Sequence, residues 1–282
     1  MDRFDRNERF FGVDGQRLLR ESVVAVVGCG GLGTHVIQQL AYLGIRKLIV
    51  IDDENLSLTN KNRYVLAYDS DPVTGFSKVD MIKRSVAMID PTIEVVIVHA
   101  SVRSKKAFDA MREARTIFGC LDNDGARLIL NEYALAYGKE LFDLATDTHK
   151  DENNFYFGGR LAYVAPDEPN CLVCMDMIDL KAAQEDLASE KSRQDRDSIY
   201  GVDRSELNEI GPSVVSLNGV IASLAVQEYM VQITGIRKAA RQLQYRGNMG
   251  IVAVSRPQEC PDCYFCKVVK DSLNDANLER YL

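Results

Sequence analysis

One turn of the chain, rich in glycine, constrains its fold more than any other feature. Residues 23–27 are valine and alanine only, which predicts a strand buried on both faces, as in a parallel sheet. The turn that follows has the pattern Gly-x-Gly-Gly-x-Gly, and its glycines are Gly28, Gly30, Gly31 and Gly33. It opens a segment with the apolar spacing of a helix. Glycines let the backbone approach a phosphate closely, and the N–H groups at a helix start attract its charge, so this stretch predicts a nucleotide-binding unit.

Asp52 stands directly after the next predicted strand, residues 47–51. It follows the glycine turn by about 20 residues, where nucleotide-binding α/β folds have a carboxylate for the ribose hydroxyls. The alternative is a glycine turn that only packs its helix against the sheet. The strand, turn, helix and acidic residue in this order favour nucleotide binding over that alternative.

Strands and helices alternate through the first half of the chain. Further strands are predicted over residues 93–98, 116–121 and 139–144, with helices over residues 77–89, 104–114 and 126–137 and a leading helix within residues 1–21. This alternation predicts a doubly wound, Rossmann-like α/β fold with a mostly parallel sheet.

The second half follows a different pattern. Residues 154–164 and a hairpin at residues 242–246 and 250–254 predict an antiparallel extension of the sheet. Residues 176–209 are rich in charged and polar side chains, which predicts a mobile surface excursion. Residues 211–228 are almost entirely apolar or small, which predicts a helix buried in the fold or against a second subunit.

Charge and composition exclude some classes of function. The 282 residues include 34 lysines and arginines against 41 aspartates and glutamates, a formal net charge of −7. Such an acidic chain does not favour a nucleic-acid or anionic-membrane partner, because no basic stripe is present to release counterions. No apolar stretch has the length that spans a bilayer, and the charged first residues are unlike a signal peptide, so we expect a cytoplasmic protein.

Three charged residues stand near the predicted nucleotide turn. Arg63 lies in the polar segment after Asp52, where an arginine is well placed for a polyphosphate. Lys78 falls in the first turn of a predicted helix, where it opposes the helix dipole, so it either meets a negative ligand or is plain surface charge. Asp122 ends a predicted strand and is a candidate Mg²⁺ ligand. The alternative is that residues 122–124 only cap the next helix, and we expect Asp124 to do so.

Four of the seven cysteines form two Cys-x-x-Cys pairs: Cys171, Cys174, Cys260 and Cys263. Four thiolates at this spacing form the closed tetrahedral shell of a structural Zn²⁺ site. Four buried free thiols, or a redox pair, are the alternatives. Cys266 is a neighbour that could compete as a ligand.

With these residues, the chain resembles the ThiF/MoeB/HesA family, the adenylating core shared with ubiquitin-activating enzymes. The resemblance covers nearly the whole chain, and its motifs follow one another in the same order as in the family. Its motifs are the glycine turn, Asp52, Asn60-x-x-Arg63, Gly75-x-x-Lys78, Asp122-Asn123, the paired cysteines and the Gly211-Pro212 helix.

The resemblance implies a single domain over residues 1–282 that uses ATP and Mg²⁺ to adenylate the C-terminal glycine of a ubiquitin-like or sulfur-carrier protein. It implies a nucleotide-binding half, residues 1–150, and a carrier-binding half, residues 151–282, whose segment 176–209 closes over the carrier tail. A conjugating enzyme or a sulfurtransferase would be a further partner. The implied nucleotide contacts are the four glycines, Asp52 on the ribose, Asn60, and Arg63 and Lys78 on the phosphates, with Asp122 on Mg²⁺ and Arg6 supplied across a homodimer.

The chain departs from the family pattern at three points. Tyr64 replaces the usual glutamine after Arg63, and Lys61 replaces an apolar residue. Residues 175–259 contain no cysteine, so the chain resembles the members that stop at the adenylate, unless Cys29, Cys120 or Cys266 acts as the nucleophile. Two other functions stay open: a non-catalytic subunit that binds a ubiquitin-like protein, and adenylation of another carboxylate, such as a tRNA-borne threonylcarbamoyl group or a peptide C-terminus.

Overall fold

The computed structural model describes residues 3–150, 155–188, 212–255, 260–272 and 278–282. Its strands form one sheet in the order β3-β2-β1-β4-β5-β6-β7-β8. They are β1 (Val23–Val27), β2 (Lys47–Ile51), β3 (Glu94–Val98), β4 (Thr116–Gly119), β5 (Glu140–Lys150), β6 (Phe155–Val164), β7 (Gln242–Arg246) and β8 (Ile251–Ser255).

Helices cover both faces of the sheet. They are α1 (Asp5–Glu21), α2 (Gly31–Leu43), α3 (Lys78–Ile89), α4 (Lys105–Met111), α5 (Asp124–Ala136), α6 (Leu180–Leu187) and α7 (Val215–Ile233), followed by short helical turns at Phe265–Ser272 and Leu278–Tyr281. None of the helices within the described ranges combines the length and the apolar character needed to cross a membrane.

The first five strands are parallel, as the sequence predicts. β1 lies at the centre between β2 and β4, and β3 and β5 flank them. Chain order reverses at β1, so a crevice opens at the carboxyl ends of β1 and β4, where doubly wound sheets bind their ligands. The predicted fold class is confirmed.

Two hydrophobic layers enclose the sheet. Helices α2, α3 and α7 pack on one face, and α4, α5 and the cysteine-bearing segments pack on the other. Four buried aromatic rings stabilise the first layer where β4, β5, β6 and α7 meet: Phe118, Phe142, Tyr163 and Tyr229. The long buried helix of the second half is therefore part of the same core as the nucleotide-binding half.

The antiparallel extension is larger than the sequence predicts. β5 continues to residue 150 rather than ending near residue 144, and it pairs with β6 from Leu141 opposite Val164 to Lys150 opposite Phe155. The last five residues of β5, residues 146–150, alternate threonine with ionisable side chains. They therefore lack the apolar pattern of its first half. β7 and β8 then extend the sheet as a hairpin, as predicted.

Two predicted segments differ from the structure. The buried helix runs from Val215 to Ile233 rather than over residues 211–228, and residue 211 lies outside the described residues. Residues 180–187 of the predicted surface excursion form α6, whose first turn is capped by Asp179 and which packs on α5. The prediction missed α6 because the helix has few large apolar residues: it packs through Ala183 and Leu187, and its Asp186 accepts from the Gly125 amide at 3.0 Å. Residues 189–209 lie outside the described residues.

A buried ion network joins the two halves of the sheet. The Asp143 side chain on β5 is 1% exposed, and its Oδ2 accepts from Arg160 Nη1 of β6 at 2.7 Å. Arg127 of α5 has its Nε 3.6 Å from Asp143 Oδ1. Arg160 also donates to the Met177 carbonyl, and Arg127 to the Leu121 carbonyl, each at 2.8 Å. The network thus connects the antiparallel extension to the loop that carries Asp122.

We expect Asp143→Asn to lower the free energy of unfolding by about 3 kcal/mol, because it leaves two largely buried guanidinium groups without their shared carboxylate. Urea unfolding of the full chain measures the change. Asp14→Asn is the matched control, since Asp14 pairs with Arg17 on the surface and is 92% exposed, and we expect no measurable loss there. Equal stability of the two variants would show that the network does not stabilise the fold.

Candidate functional site

The glycine turn between β1 and α2 is held by backbone contacts that leave no room for a side chain at Gly28 or Gly33. Gly28 has φ +92°, and a Cβ there would overlap the Cys120 carbonyl oxygen at the end of β4. A Cβ on Gly33 would overlap the Gly28 carbonyl oxygen. These contacts bring the start of α2 directly against the ends of β1 and β4.

The start of α2 faces the crevice. Gly30 is its N-cap and makes no side-chain cap bond, and the first intrahelical bond runs from the Thr34 amide to the Gly30 carbonyl at 2.9 Å. The N–H groups before Thr34 therefore have no intrahelical acceptor, which gives this helix end the partial positive charge that binds phosphate. Asn218 of α7 packs so closely on Gly31 that a Cβ there would overlap its amide.

Asp52 is buried at the end of β2 and is held by two backbone amides. Its Oδ2 accepts from the Cys29 amide at 2.7 Å, and its Oδ1 accepts from the Glu54 amide at 2.9 Å. Burial raises the pKa of the Asp52 carboxyl, and the charge of Lys78 opposes that shift. Asp52 thus lies beside the glycine turn as predicted, while its contact with a ribose stays a prediction.

Lys78 extends a buried ammonium into the same crevice from the first turn of α3. Its side chain is 6% exposed, and its Nζ lies 3.8 Å from Asp52 Oδ1 and contacts the more exposed Glu54 carboxylate. Burial by itself lowers the pKa of Lys78, but Asp52, Tyr64 and Glu54 together raise it above its usual value. The residue is therefore a permanent cation and not plain surface charge.

Arg63 lies on the other side of the turn, beside Gly31. Its Nη1 donates to the Thr59 carbonyl at 2.6 Å, which fixes the side chain along the 3₁₀ turn Leu58–Asn60. Asn60 is buried, and its Oδ1 accepts from the Ser57 amide at 2.9 Å. Asn60 therefore shapes the loop that carries Arg63, and its predicted contact with the nucleotide stays a prediction.

Asp122 follows β4 on the rim of the crevice and is exposed. Asn123, not Asp124, is the N-cap of α5, because its side chain accepts from the Ala126 amide at 2.8 Å. The prediction for Asp124 was wrong, since α5 begins at Asp124, two residues before the predicted start at residue 126. Asp122 is thus not the N-cap residue of α5.

Arg6 lies on the exposed side of α1, away from the crevice. Two residues before it, the Phe4 ring packs on Gly44 at the far end of α2 from the glycine turn. The 13 residues of α2 span about 20 Å, so Arg6 is remote from the turn of its own chain.

The two cysteines nearest the crevice are poor nucleophiles. Burial raises the pKa of Cys29 well above its usual value, and burial likewise raises the pKa of Cys120. Because the thiolate is the reactive form, neither residue suits thioester formation in this structure.

Four cysteine sulfurs come together on the α5 face of the sheet, all within 4.8 Å of one another: Cys171, Cys174, Cys263 and Cys266. The predicted ligand set contained Cys260 instead of Cys266. Cys260 is exposed and is not part of this cluster, whereas Cys266 reaches it from the turn that begins at Phe265. The residues 260, 263 and 266 are equally spaced, so the sequence pattern does not distinguish the two possible pairs.

The cluster fits a tetrahedral metal ion. Sulfurs that each lie about 2.3 Å from one zinc are about 3.8 Å from each other. The observed Sγ separations are 3.7 Å for Cys171 and Cys174, 3.8 Å for Cys171 and Cys263, and 3.6 Å for Cys174 and Cys266. A hydrogen bond from Cys266 lowers the pKa of Cys171, whereas burial raises the pKa of Cys174 and the hydrogen bond with Cys171 raises the pKa of Cys266, so one thiol of the cluster gives up its proton most readily.

The fold and these sites agree with a known family. The family model described as "ThiF family" matches residues 4–266. The chain belongs to the ThiF family.

The HesA protein of Leptolyngbya boryana is 25% identical over 283 residues, which cover 96% of this chain and 90% of the relative. The sulfur carrier protein ThiS adenylyltransferase of Escherichia coli is 26% identical over 256 residues and covers 89% of each chain. The crystal structure of E. coli MccB with MccA-N7isoASN superposes with a TM-score of 0.72 at 20% identity, over 94% of this chain and 75% of MccB. That likeness shows a shared fold.

Sequence reasoning missed three residues that shape this ThiF-family site: Asn218 against Gly31, and the pair of Arg127 and Asp143 behind Asp122. Asp143 had a signal, because it is the one charged residue within the apolar run of residues 141–145. Asn218 had no such signal in the sequence, because its contact with Gly31 joins residues that are 187 positions apart.

We expect Gly33→Ala to destabilise this ThiF-family chain by about 2 kcal/mol or more, because the new methyl group meets backbone that has no room to move. Gly30→Ala is the matched control, since a Cβ on Gly30 meets nothing nearer than the Tyr64 hydroxyl at 3.5 Å. Thermal unfolding of both variants measures the difference. Similar melting temperatures for the two variants would show that a side chain at Gly33 meets no more steric hindrance than one at Gly30.

Proposed function

We propose that this chain is an ATP-dependent adenylyltransferase that activates the C-terminal glycine of a ubiquitin-like or sulfur-carrier protein. The chain is a nucleotidyltransferase of the ThiF family. One observation carries the proposal furthest: a buried, permanently charged lysine at the glycine turn, next to Asp52. The relative named for adenylating the sulfur carrier ThiS suggests the class of substrate.

In the proposed reaction, a carboxylate oxygen of the carrier attacks the α-phosphorus of ATP. The bond from that phosphorus to its bridging oxygen breaks, and pyrophosphate leaves with the electron pair. Phosphoryl chemistry of this kind needs little covalent help from a protein, so fixed positive charge lowers most of the barrier. The start of α2, Lys78 and Arg63 supply that charge in this chain.

Asp122 would hold Mg²⁺ at the rim of the crevice. Its exposed carboxylate is a hard oxygen ligand, which suits an ion that retains several waters. When bound, Mg²⁺ would neutralise charge on the departing pyrophosphate.

The acyl-adenylate is the product that the residues support best. A following thioester would need an accessible thiol near the crevice, but Cys29 is buried, Cys120 is half-buried, and both have raised pKa values. Residues 175–259 contain no cysteine. We infer that the sulfur or amine group that attacks the adenylate belongs to another protein.

An apolar sheet face favours a protein substrate over a small molecule. Val252 and Val254 on β8 are 46% and 68% exposed, and Phe155 and Phe157 on β6 are 67% and 43% exposed. Alternate residues of a strand share a face, so these side chains extend the surface that α7 covers at Gly159. We infer that the carrier docks on this uncovered part of the sheet.

A homodimer is part of the proposal. Arg6 is about the length of α2 away from its own glycine turn, so it can assist the phosphates only in a second copy of the chain. Sedimentation of the purified chain would test that assembly.

We expect Lys78→Ala to lower carrier-dependent exchange of labelled pyrophosphate into ATP by at least about 100-fold, because a buried cation at the phosphates is lost. Arg63→Ala should lower it in the same way. Lys83→Ala is the control, since Lys83 is an exposed lysine of the same helix, and its exchange should match the original chain.

The carriers offered in this assay would be glycine-ended ubiquitin-like proteins, with a peptide C-terminus as the competing substrate class. If exchange occurs with the peptide and with none of the carriers, the chain adenylates a peptide C-terminus instead. Tight ATP binding without exchange on any carboxylate would support a non-catalytic subunit and contradict the proposal.

We propose that the cysteine cluster holds a structural Zn²⁺ that ties the segment after β6 to the segment after β8. We expect Cys266→Ser to remove the metal and lower the melting temperature, because the tetrahedral shell loses one thiolate. Cys260→Ser should retain one zinc per chain, as measured by elemental analysis. Loss of zinc from the Cys260 variant, with retention in the Cys266 variant, would reverse the ligand assignment.

A further inference from the structure

Tyr64 lies within the phosphate-binding part of the crevice, although family resemblance assigns it no role. It is 6% exposed, and its backbone amide bonds to the Asn60 carbonyl at 3.2 Å, which anchors it in the Arg63 loop. Its side chain contacts both cations proposed to meet ATP. An aromatic ring at this point affects the surroundings of both Arg63 and Lys78.

The Tyr64 ring lies close to both cations. Its centroid is 5.4 Å from the Arg63 guanidinium carbon and 5.5 Å from Lys78 Nζ. A cation within about 6 Å of an aromatic centroid is attracted to the ring electrons. The ring therefore attracts both Arg63 and Lys78, in addition to their hydrogen-bond and ion-pair partners.

The ring differs from the other partners of Lys78 in carrying no charge. Asp52 and Glu54 attract the Lys78 ammonium but also neutralise it. A triphosphate can displace the Glu54 side chain, which is 68% exposed, into solvent. Tyr64 attracts the same ammonium without competing with phosphate for its positive charge, so it can hold Lys78 during that exchange.

The Tyr64 hydroxyl points to the glycine turn. A Cβ built on Gly30 would lie 3.5 Å from this oxygen, which places the hydroxyl over the N-cap of α2. Burial raises the pKa of Tyr64, so the hydroxyl keeps its proton at neutral pH. It is therefore a hydrogen-bond donor beside the amides that bind phosphate.

We propose that Tyr64 is a nucleotide-binding residue whose hydroxyl donates to a phosphate oxygen of ATP at the glycine turn, while its ring directs Lys78 toward the phosphates. The inference rests on the proposed function, because it requires ATP in this crevice. It is specific to this chain, which has tyrosine where the family usually has glutamine.

The test compares Tyr64→Phe with the original chain in binding of a non-hydrolysable α,β-methylene ATP analogue with Mg²⁺, measured by calorimetry. We expect the variant to bind about 10-fold more weakly, because one hydrogen bond to a charged group is lost. Adenosine has no phosphate, and its affinity in competition should not change. Tyr64→Leu should weaken the analogue further, since the ring is also lost.

Tyr68→Phe is the matched control. Tyr68 also stacks on an arginine, with Arg84 4.0 Å from its centroid, but Tyr68 is 53% exposed. Its binding of the analogue should equal that of the original chain. The melting temperature of each variant separates a binding effect from a folding effect.

Equal affinity of Tyr64→Phe and the original chain for the analogue would overturn the inference and leave the proposed function intact. An equal loss for adenosine would also overturn it, because the hydroxyl would then act on the nucleoside or on the fold. If the original chain binds no nucleotide, the proposed function fails, and the role of Tyr64 fails with it.

Discussion

Backbone-to-backbone contact at the glycine turn is the constraint on which the rest of the site depends. Gly33 rests on the Gly28 carbonyl, and Gly28 rests on the Cys120 carbonyl, so the start of α2 cannot move away from the ends of β1 and β4. The same turn supplies the Cys29 amide that binds Asp52. Asp52 in turn attracts Lys78 from α3. A local steric requirement thus fixes an electrostatic site built from five separate elements, β1, β2, β4, α2 and α3.

The second half of the chain reaches this site through buried polar contacts rather than through a separate core. Asp143 joins Arg160 of the extension to Arg127, which holds the Leu121 carbonyl beside Asp122. Asn218 links the start of α7 to Gly31. Changes in the second half of the chain can therefore alter the position of groups in the crevice, because these polar contacts and one shared apolar core connect the two.

Much of the fold and part of the site could be predicted from the sequence, for identifiable reasons. The glycine turn, Asp52 and the parallel strands depend on patterns that repeat within a few residues, so local chemistry defines them. The choice of Cys266 over Cys260 depends on which way a short turn faces, and equal spacing conceals it. The length of β5 and the position of Tyr64 depend on partners brought near only by folding, such as β6 and Lys78.

The two carboxylate partners of Lys78 explain how its buried ammonium can exist without a bound nucleotide. An unpaired ammonium at this depth would be strongly destabilising, and Asp52 and Glu54 remove that cost. Asp52 is itself held by two amides and cannot leave, whereas Glu54 is mostly in solvent and can. In the proposed function, a triphosphate would therefore displace the exposed Glu54 carboxylate and leave the buried Asp52 in place. Displacement of Glu54 would thus free part of the positive charge of Lys78 for a phosphate, while Asp52 stays beside the ammonium.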